Sequence, residues 1–313
     1  MGKKVTVIGA GNVGAVVAYT LVTQYEDITE LLLIDINEKK AFSEALDIAQ
    51  STASRANVCV HSGNYADAAG SDFVIITSGI GRKADQSRLD LVQTNVNIMK
   101  QITPEIVKAA PKAKYIIVSN PVDITTYVFL KLSGLPEQQV IGTGTMLDTA
   151  RLQCALRSCS QTDSKSIQAY VLGEHGDTSF IPWSLVKISD MSYETCSGNM
   201  QMQGKSMPSK DLLMSYVRGS GARVISGKGS TSYAIAAVVS RLYQALTGED
   251  VVVPVSVMMH GEYGIKDICI SVLTRLNKNG NCGCVPVRLT EEETSQLKKS
   301  ADTLREWTEK IEF

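Results

Sequence analysis

The sequence predicts an α/β protein, a doubly wound parallel sheet followed by a less regular α+β half. Three observations carry this. Short apolar runs recur through the first 145 residues: Lys4 to Ile8, Leu31 to Asp35, Val58 to His61, Asp72 to Thr77, Tyr115 to Ser119 and Val140 to Gly142. Helical stretches lie between them, among them Ala15 to Thr23, Glu38 to Thr52 and Asp90 to Ala109. Six strands joined by helical crossovers must pair in parallel, because a hairpin leaves no room for a helix. Finally, the first strand runs straight into Gly9-Ala10-Gly11-Asn12-Val13-Gly14, which opens a helix.

A lone G-x-G-x-x-G is a weak signal, but this one stands between a strand and a helix, as a Rossmann sheet requires. The glycines let the backbone approach a pyrophosphate, whose charge rests on the N–H groups at the helix start. The second strand ends in Asp35, 21 residues after Gly14. A carboxylate there accepts from ribose hydroxyls and repels a further phosphate, so NAD is favoured over NADP.

Composition narrows the class. The chain has 313 residues, 44% of them hydrophobic and 20% charged, with a net charge of −1. That length suits two domains, here 1–145 for the nucleotide and 146–313 for the substrate. The balanced charge gives no footprint for nucleic acid or a membrane surface. The start leads directly into a strand, without the apolar core of a signal peptide, and a cytoplasmic location is expected. The seven cysteines hold no Cys-x-x-Cys pair and read as reduced thiols, with no metal site.

Three stretches carry candidate chemistry. After Thr77 and Gly79, the segment to Leu89 holds Arg82 and Arg88 among glycines and charges; it reads as a solvated loop, or as a lid that closes an arginine over a ligand. Ser119-Asn120-Pro121-Val122-Asp123 ends a strand with an amide in a proline turn. Gly142 to Arg151 opens a helix on which Asp148 and Arg151, three apart, share a face; an ordinary surface pair is the plainer reading. In the second half, Ser166 to Leu172 reads as a strand leading to Gly173-Glu174-His175-Gly176-Asp177. Only three histidines are present. One held by a carboxylate could pass a proton to a substrate oxygen. Phe180 to Ile188 and Val251 to Met258 read as strands, Ser209 to Gly227 as a helix, and Thr290-Glu291-Glu292-Glu293 as a capping box opening the last helix. His61 is a strand or loop residue, His260 an exposed turn residue, and Trp307 part of an apolar stripe.

Taken together, these blocks resemble the L-lactate/L-malate dehydrogenase family over nearly the whole chain. By that resemblance His175 is the proton donor and acceptor, and Asp148 holds its other ring nitrogen. Arg151 grips the substrate carboxylate, Arg88 descends with the lid onto the reacting carbonyl, and Asn120 hydrogen-bonds its oxygen. Thr231 stands near the substrate and Ile235 near the nicotinamide. Gly9, Gly11, Asn12, Val13, Gly14, Asp35, Thr77, Gly79, Asn95, Ser119 and Asn120 fall to the cofactor. The family is usually a homotetramer, sometimes a dimer.

The substrate divides the motifs. Arg82 stands where lactate members carry glutamine and malate members arginine, and it could pair with the second carboxylate of oxaloacetate. Glu174 before the histidine, Thr231, and Pro254 to Ile268 look more like the lactate branch. Ala84 and Asp85 match neither branch. Lactate is favoured, with malate the alternative. Gln153 and Gln168 replace the arginine and histidine of members activated by fructose 1,6-bisphosphate, so no such activation is expected. An NAD-dependent glycoside hydrolase would need metal ligands that the sequence does not cluster. A lapsed nucleotide-binding protein would have no reason to keep His175, Asp148, Arg151 and Arg88 together.

Overall fold

The computed structural model describes residues 2–54, 57–81 and 88–312. Arg82 and its neighbours to Ser87 lie outside the described residues, and of Arg88 only the backbone is described.

Six strands form the parallel part: β1 (Lys3–Ile8), β2 (Ile28–Ile34), β3 (Cys59–Ser62), β4 (Phe73–Ile76), β5 (Lys114–Ile117) and β6 (Val140–Gly142). Their order is β3-β2-β1-β4-β5-β6, so the winding reverses between β1 and β4. Strands covered on both faces must be apolar throughout, and β4 is Phe-Val-Ile-Ile with all four residues buried. Helices α1 (Asn12–Gln24), α2 (Glu38–Thr52), α3 (Arg88–Ala109) and α4 (Val122–Ser133) supply the crossovers. The crevice at the carboxyl ends of β1 and β4 is where such sheets take ligands.

The second half begins with α5 (Met146–Ser160) and continues through α6 (Tyr193–Met202), α7 (Lys210–Lys228) and α8 (Tyr233–Thr247). A smaller apolar cluster, including Leu152, Leu156, Val171, Ile181 and Val217, packs under α5 to α7. Three antiparallel strands, β9 (Val251–His260), β10 (Lys266–Asn277) and β11 (Gly280–Cys284), follow. β9 meets β6 through the single pair Gly142 and Ser256, which extends the sheet to nine strands. Helix α9 (Glu291–Lys310) closes the chain, and its capping box between Thr290 and Glu293 is formed.

Two expected strands shrink. Ser166 to Leu172 yields only β7 (Ile167–Gln168), paired with β8 (Lys187–Ile188) from the Phe180 to Ile188 run. Between them Leu172 bridges Phe180, and residues 183–185 make a 3-10 turn after Pro182. The apolar residues there serve the small core, a period that strand reading alone cannot separate from a packed loop. His260 ends β9 rather than sitting in the following turn, and its ring pairs with Glu137 at 2.7 Å. His61 lies in β3 against Glu30, and Trp307 packs half-buried against the main core.

Candidate active site

The nucleotide end is built by backbone crowding. Gly9 leaves β1 at φ +103°, a conformation that side chains rarely adopt. A Cβ on Gly14 would lie 1.8 Å from the Gly9 carbonyl oxygen, so the first turn of α1 packs directly on the strand end. Gly11 is different: a Cβ there would meet nothing within 4 Å. The turn is tight on two sides and open on the third, beside the N–H groups of α1. That is room for a pyrophosphate.

Asp35 stands just past β2. Its Oδ2 accepts the Ala10 N–H at 2.6 Å and its Oδ1 the Asn37 N–H at 2.8 Å, which holds the carboxylate against the glycine turn. Thr77 Oγ1 donates to the Gly9 carbonyl at 2.9 Å, and Ser119 Oγ to that of Ser78 at 2.5 Å. Asn12, exposed like Gly79, reaches Ser230 Oγ at 3.2 Å and so ties the turn to the segment bearing Thr231. Val13 and Thr231 are half-buried, while Ile235 is buried in the first turn of α8. Asn95 is a brace. Its Oδ1 accepts the Ile80 N–H at 2.9 Å, and its amide donates to the carbonyls of Ile80 and Asn120. The residue is buried, and these bonds tie the loop after β4 to the turn at Asn120.

The second cluster sits on the α5 side. Asp148, in the first turn of α5 and 5% exposed, binds His175 and Arg151 at once. Its Oδ2 accepts from His175 Nδ1 at 2.6 Å, and its Oδ1 from Arg151 Nη1 at 2.8 Å. Burial works against the Asp148 carboxylate, but His175 and Arg151 outweigh it and hold its pKa below the usual value. Burial likewise opposes the imidazolium of His175. The charge and hydrogen bond of Asp148, with help from Asp123, overcome both burial and Arg151 and raise its pKa. Nδ1 therefore donates to Asp148, and Nε2 remains for a ligand. A Cβ on Gly221 of α7 would come within 3.3 Å of Arg151 Nη2, so a glycine lies against the guanidinium.

The turn carrying His175 is held from four directions. Gly173 pairs both ways with Ser271 of β10, and Thr145 Oγ1 donates to the Val171 carbonyl at 2.5 Å. The His175 N–H donates to Asp123 Oδ2 at 2.8 Å. From α9, Ser300 Oγ accepts the Glu174 N–H at 2.6 Å, while Glu293 holds Ser184 through both its N–H and its hydroxyl. Sequence reasoning gave no role to Asp123, Ser256, Ser271 or Ser300, and saw in Glu293 only the helix cap, not its hold on Ser184. Their partners lie far off in the chain, and a serine or buried acid carries no local mark of that.

Two family models now meet this geometry. The NAD binding domain of lactate/malate dehydrogenase matches residues 3–142, and the alpha/beta C-terminal domain of lactate/malate dehydrogenase matches 145–312. The chain belongs to the lactate/malate dehydrogenase family. Its N-terminal part is this family's NAD-binding domain, and NAD is the cofactor, which agrees with the open turn at Gly11 and with Asp35. An L-lactate dehydrogenase of Acetivibrio thermocellus is 41% identical over 305 residues, 97% of this chain and 96% of that one. A lactate dehydrogenase structure from a Medee basin deep-sea metagenome library superposes with a TM-score of 0.93 at 34% identity, covering 100% of this dehydrogenase and 99% of the other. A malate dehydrogenase from Archaeoglobus fulgidus, solved with NADH, gives 0.86 at 33%, covering 99% and 100%. Among the described residues of this dehydrogenase no group of three His, Cys, Asp or Glu is placed to hold a metal, and no helix is long and apolar enough to cross a membrane.

Proposed function

We propose that this dehydrogenase interconverts pyruvate and L-lactate. The observation that carries the reading is Asp148 gripping both His175 and Arg151: a proton carrier and a carboxylate receptor are fixed on one anion. Arg151 takes the carboxylate of the 2-keto acid, for which a planar guanidinium suits better than an ammonium. The carbonyl oxygen then faces His175 Nε2–H, with the Asn120 amide and Arg88 completing its surroundings. NAD, held at Gly9 to Gly14 and Asp35, supplies or takes up the hydride when bound. As negative charge grows on the carbonyl oxygen, imidazolium, guanidinium and amide stabilise it, and His175 gives up its proton. Asp148 keeps the ring in the tautomer that allows this and supports its charged form. In the reverse direction neutral His175 takes the hydroxyl proton. Thr231 and Ile235 border the substrate and the nicotinamide.

The domains divide at 145/146. The working form is a homotetramer, or at the least a dimer, in the cytoplasm. Fructose 1,6-bisphosphate does not activate it, because Gln153 and Gln168 carry no charge to meet phosphate. A leftward shift of the pyruvate saturation curve on adding that sugar bisphosphate would refute the last point.

Arg82 favours the second reading, malate dehydrogenase. The deciding experiment is kcat/KM for pyruvate and oxaloacetate with NADH, run on wild type, Arg82→Gln and His175→Asn. Pyruvate preference in wild type, and loss of turnover on both acids in His175→Asn, are expected. An oxaloacetate preference of a hundredfold or more, about 2.7 kcal/mol of discrimination, would overturn the substrate, above all if Arg82→Gln abolished it. Undiminished turnover in His175→Asn would overturn the mechanism.

A further inference from the structure

His175 is bound by a second carboxylate. Asp123, in the first turn of α4 and only 2% exposed, accepts the His175 N–H through Oδ2 at 2.8 Å. Its Oδ1 accepts from Ser256 of β9 at 2.5 Å. One side chain thus joins three pieces: the helix that begins two residues after Asn120, the turn bearing His175, and the antiparallel strand on which β6 ends.

An acid is an expensive choice for this joint. Asparagine would satisfy both partners, since its oxygen can accept the His175 N–H and its amide can donate to the Ser256 hydroxyl. No desolvation of a charge would then be needed. No lysine or arginine partner of Asp123 is present among the described residues. The groups that face it are His175 and Glu174 from the turn, Ser256 from β9 and the buried Cys269 thiol from β10. Of these only His175 can carry a positive charge. Burial raises the Asp123 carboxyl to about 6, even though Ser256 and His175 favour its ionised form and only Glu174 adds to the rise. Near neutrality the carboxylate is charged, and the imidazolium gains from it.

We propose that Asp123 is a positioning residue for the proton-transfer histidine: it anchors the His175 main chain and, as a second buried negative charge beside Asp148, holds the imidazolium in its protonated form. This rests on the reading of His175 as proton carrier. Asp148 fixes the ring's tautomer; Asp123 fixes where the ring stands and shares in how tightly it keeps its proton. The charge is retained at a cost in stability because a neutral amide could do only the first of these two jobs.

The test is Asp123→Asn, which keeps both hydrogen bonds and removes the charge. The chain has only three histidines. Isotope-labelled histidine NMR of the whole protein therefore follows each titration separately, with His175→Asn assigning the third signal. The His175 midpoint is expected to fall by roughly half a unit to one unit in Asp123→Asn, with His61 and His260 unmoved. The alkaline limb of kcat/KM for pyruvate reduction should move down by the same amount. A purely structural joint would lower kcat at every pH and leave the limb in place. Should Asp123→Asn fail to fold, Ser256→Ala is the second variant. It withdraws a hydrogen bond from the ionised carboxyl, and a smaller downward shift of the same midpoint is expected. A His175 midpoint unchanged in the variant that folds would overturn the proposal whatever the activity. Turnover surviving in His175→Asn would overturn the underlying reading instead.

Discussion

Ser300 and Glu174 are 126 positions apart in the chain, yet Ser300 Oγ accepts the Glu174 N–H at 2.6 Å and also meets Thr178 Oγ1 at 2.9 Å. The last helix thereby grips the residue next to His175. Two residues past its far end, the Glu312 N–H donates to Gln93 of α3, the helix that Arg88 opens. Ser300→Ala would leave the buried Glu174 N–H without an acceptor. A loss of about 1–3 kcal/mol in denaturant unfolding is expected. Turnover should fall while NADH affinity stays unchanged, since the glycine turn is remote. An unchanged kcat would show that α9 stabilises the turn without helping to aim the histidine.

Asp148→Asn separates charge from shape. The pKa of Asp148 is held low by His175 and Arg151, so the group is ionised wherever the enzyme works. An amide in its place removes the charge that supports the imidazolium and can turn its N–H₂ toward Nδ1, selecting the wrong tautomer. We expect kcat to fall by roughly 10²- to 10⁴-fold. The alkaline limb of pyruvate reduction should move to lower pH. A variant within a few fold of wild type would sink the assigned role.

Arg151→Lys keeps the charge and loses the planar grip. The ammonium can reach Asp148 or the substrate carboxylate, but it cannot span both oxygens of the latter. KM for pyruvate should rise about 10- to 100-fold, the worth of a charged hydrogen bond, with a smaller change in kcat. The reverse split would mean that Arg151 acts on the reacting carbonyl rather than on the carboxylate. Gly221→Ala tests the same guanidinium from the other side and should raise KM less, because its Cβ would crowd Nη2 rather than remove it.

Much of this was legible in the sequence for a physical reason. Gly9, Gly14 and Asp35 act through local backbone geometry, and parallel strands such as Phe73 to Ile76 declare themselves by being apolar on both faces. Asp148 and Arg151 are three residues apart on one helix, so their pairing follows from helical pitch. The supports of His175 were not legible. Asp123 meets Ser256 across 133 positions, and nothing near either residue records the other. Asn95 braces the loops at Ile80 and Asn120, a task that its place in the sequence did not announce. The Ile167 and Ile188 region misled for a third reason, because a short apolar run fits a strand and a packed loop equally well.

The charge on Asp123 also has a signature in stability. Its carboxyl lies at about 6 in the fold against an unperturbed 3.8, so the folded state binds this proton more tightly than the unfolded one. A group raised in this way contributes its full stability below the unfolded value and loses it as pH rises through the folded one. The difference amounts to about 3 kcal/mol across the interval from pH 4 to pH 6. Asp123→Asn does not titrate and escapes that loss. Its Tm relative to wild type should therefore climb as the buffer goes from pH 4 to pH 7.5, with the variant more stable at the upper end. A Tm difference that is flat across this range would mean that the buried carboxylate is fully compensated by the imidazolium beside it.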